Sequence, residues 1–121
     1  MFSKVFQDAD QQRGSSEGLN SKSRIIAYGA GLMMREERFA KAGTVVPLHC
    51  HYHEQITHVC KGSIKVIDHD GNETVLKSEE AVYCAPNEMH SVIILEDDTV
   101  VKDAFTPVRL DHLQSKACYE K

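Results

Sequence analysis

Four of the seven histidines in this 121-residue chain lie between Pro47 and Gly62, in the stretch PLHCHYHEQITHVCKG. His49, His51 and His53 alternate, and Gln55 continues their parity. In a β-strand, residues two apart face the same side, and neutral imidazole is a common transition-metal ligand. His49 and His51 therefore read as a ligand pair, to which Gln55 adds an oxygen. Such a site needs a ligand from a distant strand, and APNEMHSV offers His90 just after a Pro-Asn turn. Positions on the ion are then left open for water or substrate. A lone histidine is ordinarily a surface or hydrogen-bonded core residue. The frame here is longer: Gly43, five residues, His49, one, His51, three, Gln55, six, Gly62. Three imidazoles and an amide would leave the full divalent charge on the ion, making it a stronger Lewis acid that favours anionic ligands. His53 shares the parity, but a bend in the chain would make it a supporting or surface residue. His58 reads as a strand residue without chemistry, His69 as a turn residue and His112 as part of the tail.

The elements that must position these side chains are short and β-like. RIIAY, LMMREERF, TVVPLH, QITHVC, SIKVI, TVLK, AVYC, SVIIL and TVVKDAF are rich in β-branched residues and separated by turn signals. DHDGNE between SIKVI and TVLK marks a hairpin turn. Strands at this spacing predict an all-β, antiparallel sandwich or barrel. Residues 1–23 read as a loose N-terminal arm that could form a dimer, 24–113 as the barrel, and 114–121 as a tail with at most a helical turn. Hydrophobic residues make up 41% of the chain and charged residues 26%, as in an ordinary globular protein. A formal net charge of -4 and the absence of a Lys/Arg cluster argue against a nucleic-acid partner. No apolar run reaches membrane-spanning length, and the polar N-terminal stretch points to the cytoplasm. Cys50, Cys60, Cys84 and Cys118 contain no C-x-x-C pair and read as free thiols.

GTVVPLHCHYHEQITHVCKG and APNEMHSV resemble the two motifs of the cupin superfamily. The resemblance implies a small jelly-roll barrel with a metal held inside by His49, His51, Gln55 and His90. Two positions depart from the superfamily pattern: Gln55 stands where a glutamate is usual, and Glu80 lies near where a glycine usually opens the second motif. Taken with YGAGLMM and VKDAFTPVRLDHL, the chain is similar over residues 24–113 to the pectin-degradation cupins. That resemblance implies ring opening of 4,5-unsaturated monouronates to linear keto sugar acids, with one divalent transition metal ion (Zn, Ni, Fe, Mn or Co) as cofactor. It also implies pocket roles for Asp103, Phe105 and Arg109. Asp103 could serve as general acid–base, Phe105 as apolar floor, and Arg109 as the partner of the uronate carboxylate. Asp103 and Phe105 share a strand face by parity. The bland readings are a surface carboxylate, a core phenylalanine and an arginine paired with Asp97 or Asp111. Another metal-dependent cupin enzyme such as a dioxygenase, or a non-catalytic sugar- or metal-binding cupin, stays open. The expected partners are a small anionic sugar and a second copy of the chain in a homodimer.

Overall fold

The computed structural model describes residues 4–49 and 52–109. His51, Cys50, His112, Cys118 and the tail lie outside the described residues. A 3-10 turn (Asp8–Asp10) precedes β1 (Gln12–Ser16), β2 (Ser21–Tyr28), β3 (Met33–Phe39), β4 (Val45–His49) and β5 (Glu54–Lys61). Then come β6 (Ser63–Asp68), β7 (Glu73–Lys77), β8 (Ala81–Cys84), β9 (His90–Ile94) and β10 (Thr99–Thr106). They form two antiparallel sheets, ordered β1-β2-β3-β10-β5-β8 and β4-β9-β6-β7. This is the all-β antiparallel architecture the strand rhythm predicts, and the jelly roll the resemblance implies. Among the described residues there is no α-helix, and so no helix long and apolar enough to cross a membrane.

The predicted hairpin joins β6 to β7. Gly71 has a positive φ of 84°, and the Asp68 carboxylate accepts the N–H groups of Asp70 and Asn72. Gly62 alone separates β5 from β6 and carries the chain from one sheet to the other. Its φ is +86°, and a Cβ there would run into Thr99, so glycine is required on two counts. Part of the segment read as a loose arm is a strand. Residues 12–16 pair with 21–25 of β2 along a continuous ladder. QRGSS is exposed along most of its length, so it carries no apolar alternation, and backbone hydrogen bonds to β2 hold it instead.

The inner face of the barrel is apolar at both ends and polar between them. Phe39, Val59, Ile64, Leu76, Ile94 and Val101 form one cluster; Ile25, Met33 and Phe105 form the other. Burying each large aliphatic or aromatic side chain is worth about 1.5–3 kcal/mol. On β10 the inward residues run Val101, Asp103, Phe105, and on β3 they run Met33, Arg35, Glu37, Phe39, so each strand has charge flanked by apolar residues.

The ladder between β4 and β9 is irregular. Val45 pairs with Ile93 and Val46 with Val92, but the next partner of His90 is His49, which leaves one extra residue in β4. Pro47 lies in this bulge. It has no N–H to give to a ladder, which is why a bulge suits it. The extra residue sets His49, rather than Leu48, opposite His90.

Candidate active site

Asp103 sits in mid-strand on β10 and is 3% exposed, so the surface reading of this carboxylate does not hold. Its register partners are Thr57 on β5 and Arg35 on β3. Thr57 Oγ1 donates to Oδ1 at 2.6 Å, and the Gln55 amide Nε2 donates to the same oxygen at 3.2 Å. Arg35 Nη2 donates to Oδ2 at 3.0 Å. Gln55 Nε2 also donates to Thr57 Oγ1 at 2.7 Å. This closed triangle orients the amide, because a carboxylate only accepts. Nitrogen faces Asp103, and the amide carbonyl oxygen is the end that could serve a cation.

Arg35 also pairs with Glu37 at 3.3 Å. Burial pushes the Glu37 carboxyl above the usual range; the Arg35 charge opposes this and the Asp103 charge adds to it. Ser21 Oγ donates to Glu37 Oε2 at 3.1 Å. Burial likewise pushes the Cys84 thiol up to about 11, helped by Glu88 and Asp103. Cys84 is therefore a neutral thiol on the wall of the cavity.

Phe105 is almost fully buried. The Arg109 guanidinium carbon lies 5.2 Å from its ring centre and that of Arg35 5.5 Å, both within cation–π range. The His53 ring meets Phe105 edge-on at 6.5 Å and stacks on Tyr52 at 4.0 Å. His53 is thus buried beside the predicted pocket residue and is not at the surface.

His90 is buried at the start of β9. Its Nδ1 lies 2.9 Å from the Glu88 carbonyl oxygen, which can only accept, so Nδ1 carries a proton; in the neutral ring the lone pair is then on Nε2. A backbone carbonyl holding one ring nitrogen is a usual way to fix a metal-ligating histidine. Gln55, His90, Asp103 and Arg109 line one cavity of about 80 Å³, together with Arg35 and Cys84. Among the described residues no three His, Cys, Asp or Glu side chains are grouped to hold a metal. The expected set depends on His49, whose backbone is paired with His90, and on His51, outside the described residues. The His90 tautomer, the Gln55 amide orientation and the His49–His90 register all fit a divalent cation on this wall.

Sequence reasoning missed Arg35, Thr57 and Glu37. One signal was available: Met33, Arg35, Glu37 and Phe39 share a parity, so the apolar ends of β3 carry the charges inward with them. Of the two carboxylates in the bland reading of Arg109, Asp111 lies outside the described residues, and Asp97 is engaged elsewhere. Arg109 lies over Phe105, and Asp97 instead accepts the Ala42 N–H.

Two facing antiparallel sheets, a histidine-bearing strand pair and an inward polar belt define a cupin. The family described as "Cupin domain" matches residues 35–102, and the chain belongs to it. Within the cupins, the likeness is to the pectin-degradation proteins. The chain is 38% identical over 92 residues to the pectin degradation protein KdgF of Dickeya dadantii, covering 76% of this chain and 83% of that protein. A solved KdgF structure from Halomonas sp. superposes with a TM-score of 0.79 at 28% identity, covering 89% of this chain and 98% of the other. An RmlC-like cupin from Shewanella frigidimarina shares the fold at a TM-score of 0.76 and 24% identity, covering 90% and 96% of the two chains.

Proposed function

We propose that this protein opens the ring of 4,5-unsaturated monouronates, giving linear keto sugar acids in a metal-dependent isomerisation. The pectin-degradation relative at 38% identity supports the substrate class. The observation that carries the reading is the grouping of Asp103, Arg109, Gln55 and His90 around one cavity, with Phe105 beside it. Ring opening breaks the bond between C1 and the ring oxygen. The proton of the C1 hydroxyl leaves as the aldehyde forms, and a proton arrives at C4 as the released enol becomes a ketone. Nothing is oxidised or reduced, and no co-reactant is consumed.

In this reading Arg109 pairs with the substrate carboxylate, and its position over Phe105 keeps the guanidinium plane oriented. Phe105 forms the apolar floor. Asp103 takes the hydroxyl proton and returns one to C4, held in place from both sides by Arg35 and by Thr57 with Gln55. His49, His51, Gln55 and His90 would hold one divalent transition metal ion. When bound, it supplies Lewis acidity to a sugar oxygen next to the proton transfer. The functional unit is the barrel read over residues 24–113, whose larger sheet is extended by β1 and the start of β2 from the 1–23 segment, with 114–121 as the tail. A cytoplasmic setting agrees with the free thiols Cys60 and Cys84, and the assembly is a homodimer.

The test follows the conjugated-alkene absorbance of unsaturated monouronate. The protein is expected to speed its loss over buffer. His49→Ala and chelation are expected to abolish the gain, and Asp103→Asn to lower the rate about 10²–10⁴-fold. A wild-type rate equal to the buffer control overturns the reading.

A further inference from the structure

The Gln55 side chain ends in two groups of similar shape and opposite chemistry. Its carbonyl oxygen can ligate a cation, whereas its NH2 group only donates. The terminal torsion of a glutamine is broad and close to two-fold, so the strand alone does not decide which end faces the cavity. A neighbour has to decide it.

Thr57 stands two residues on, so it shares the inward face of β5 with Gln55, and both line the cavity. Its register partner on β10 is Asp103, and both Thr57 and Asp103 are buried. A hydroxyl has one hydrogen to donate. Thr57 Oγ1 directs it to Asp103 Oδ1 at 2.6 Å, so toward Gln55 Nε2, at 2.7 Å, the same oxygen can only accept. Asp103 Oδ1 accepts from Nε2 as well, at 3.2 Å. Turning the amide over would break both of its bonds and set its oxygen against a carboxylate oxygen. Thr57 could follow such a turn only by withdrawing its hydrogen from Asp103. Threonine is stiff at χ1, which helps to keep Oγ1 between the two groups. The same arrangement accounts for the amide at 55 where the superfamily usually has glutamate. A carboxylate there would face Asp103 with no hydrogen between them.

We propose that Thr57 is a positioning residue: its hydroxyl, committed to Asp103, turns the Gln55 carbonyl oxygen toward the cation. It acts through Gln55 and supplies no ligand itself. This role rests on the metal-binding reading of the site given above. Its test reads cation affinity and amide orientation, not turnover.

The full chain, stripped with chelator, is titrated with cobalt(II) in competition with a chromophoric chelator. Thr57→Val keeps the side-chain shape and removes the hydroxyl, while Thr57→Ser keeps the hydroxyl and removes the methyl group. Thr57→Val is expected to bind cobalt about 10–100-fold more weakly, as when a metal ligand loses its hydrogen-bonding partner. Thr57→Ser is expected to stay near the wild type. Packing alone predicts the opposite order. In metal-free protein the Gln55 side-chain amide resonances, assigned by their loss in Gln55→Glu, are expected to shift in Thr57→Val and to hold their place in Thr57→Ser. Thr57→Val binding as tightly as the wild type overturns the role, as does Thr57→Ser binding more weakly than Thr57→Val. If Thr57→Val does not fold, weakened binding by Thr57→Ser overturns it. A wild type that binds no cobalt removes the metal centre and this role with it. Cobalt binding that follows the expected order, without turnover of unsaturated monouronate, supports the role and removes only the enzyme reading.

Discussion

The two halves of the barrel interior are built from the same strands and do different work. Around Val59, Ile64, Ile94 and Val101 the inward residues are apolar and closely packed. Two residues further along β10 and β5 they become Asp103 and Thr57, and on β3 Glu37 and then Arg35 follow Phe39, locked by short hydrogen bonds. In the first half stability comes from area removed from water, and no single partner matters much. In the second, every group depends on a particular neighbour, because a buried charge that loses its partner keeps its full desolvation cost. One strand can therefore supply scaffold and chemistry at positions two residues apart.

Removing the cation of the polar half should show the contrast most strongly. Arg35→Met leaves Asp103 and Glu37 buried without their guanidinium. A loss of about 3–5 kcal/mol is expected, read as a lower urea midpoint and accompanied by loss of turnover. A variant as stable as the wild type would mean that the pair is not what holds this half together. In the apolar half, Ile64→Val is expected to cost only about 0.5–1.5 kcal/mol, read as a small drop in the urea midpoint. A loss as large as that of Arg35→Met would remove the contrast.

The smallest effect concerns Glu37. Its carboxyl is raised by burial, so its folded value lies above its unfolded one of about 4.3. The stability linked to that shift is present in full below the unfolded value and is lost as pH rises through the folded one. Glu37→Gln removes this loss. The stability of the variant relative to the wild type is expected to climb as pH rises from about 4 toward neutrality, in denaturant titrations across that range. A difference that stays flat with pH would mean that Glu37 is not shifted.

Much of the scaffold was legible in the sequence because alternation and turn residues report directly on a sheet. Gly62, the DHDGNE turn and the shared face of Asp103 and Phe105 all follow from local geometry. Arg35 and Thr57 were hidden because a charged or hydroxyl residue in an alternating strand ordinarily reads as facing water. For Arg35 the apolar ends of β3, Met33 and Phe39, were the one sign that this parity is the inward one. β1 was hidden for the converse reason: an edge strand exposed along most of its length carries no apolar alternation. His53 was read, from a bend just before β5, as a supporting or a surface residue; that it is the buried one depends on Phe105, more than fifty residues away.

The irregular pairing of β4 with β9 bears on how this strand tolerates change. A ladder of the same length without the bulge would bring Leu48 opposite His90, and what stands against it is a ring that has no hydrogen to share. Loss of one residue at 47 would let an uninterrupted ladder form with His49 still facing His90. Exchange of that proline for a β-branched residue would instead open the competing alignment. At this point in the barrel a deletion is the gentler lesion and a conservative-looking replacement the harsher one, the reverse of what strands ordinarily allow.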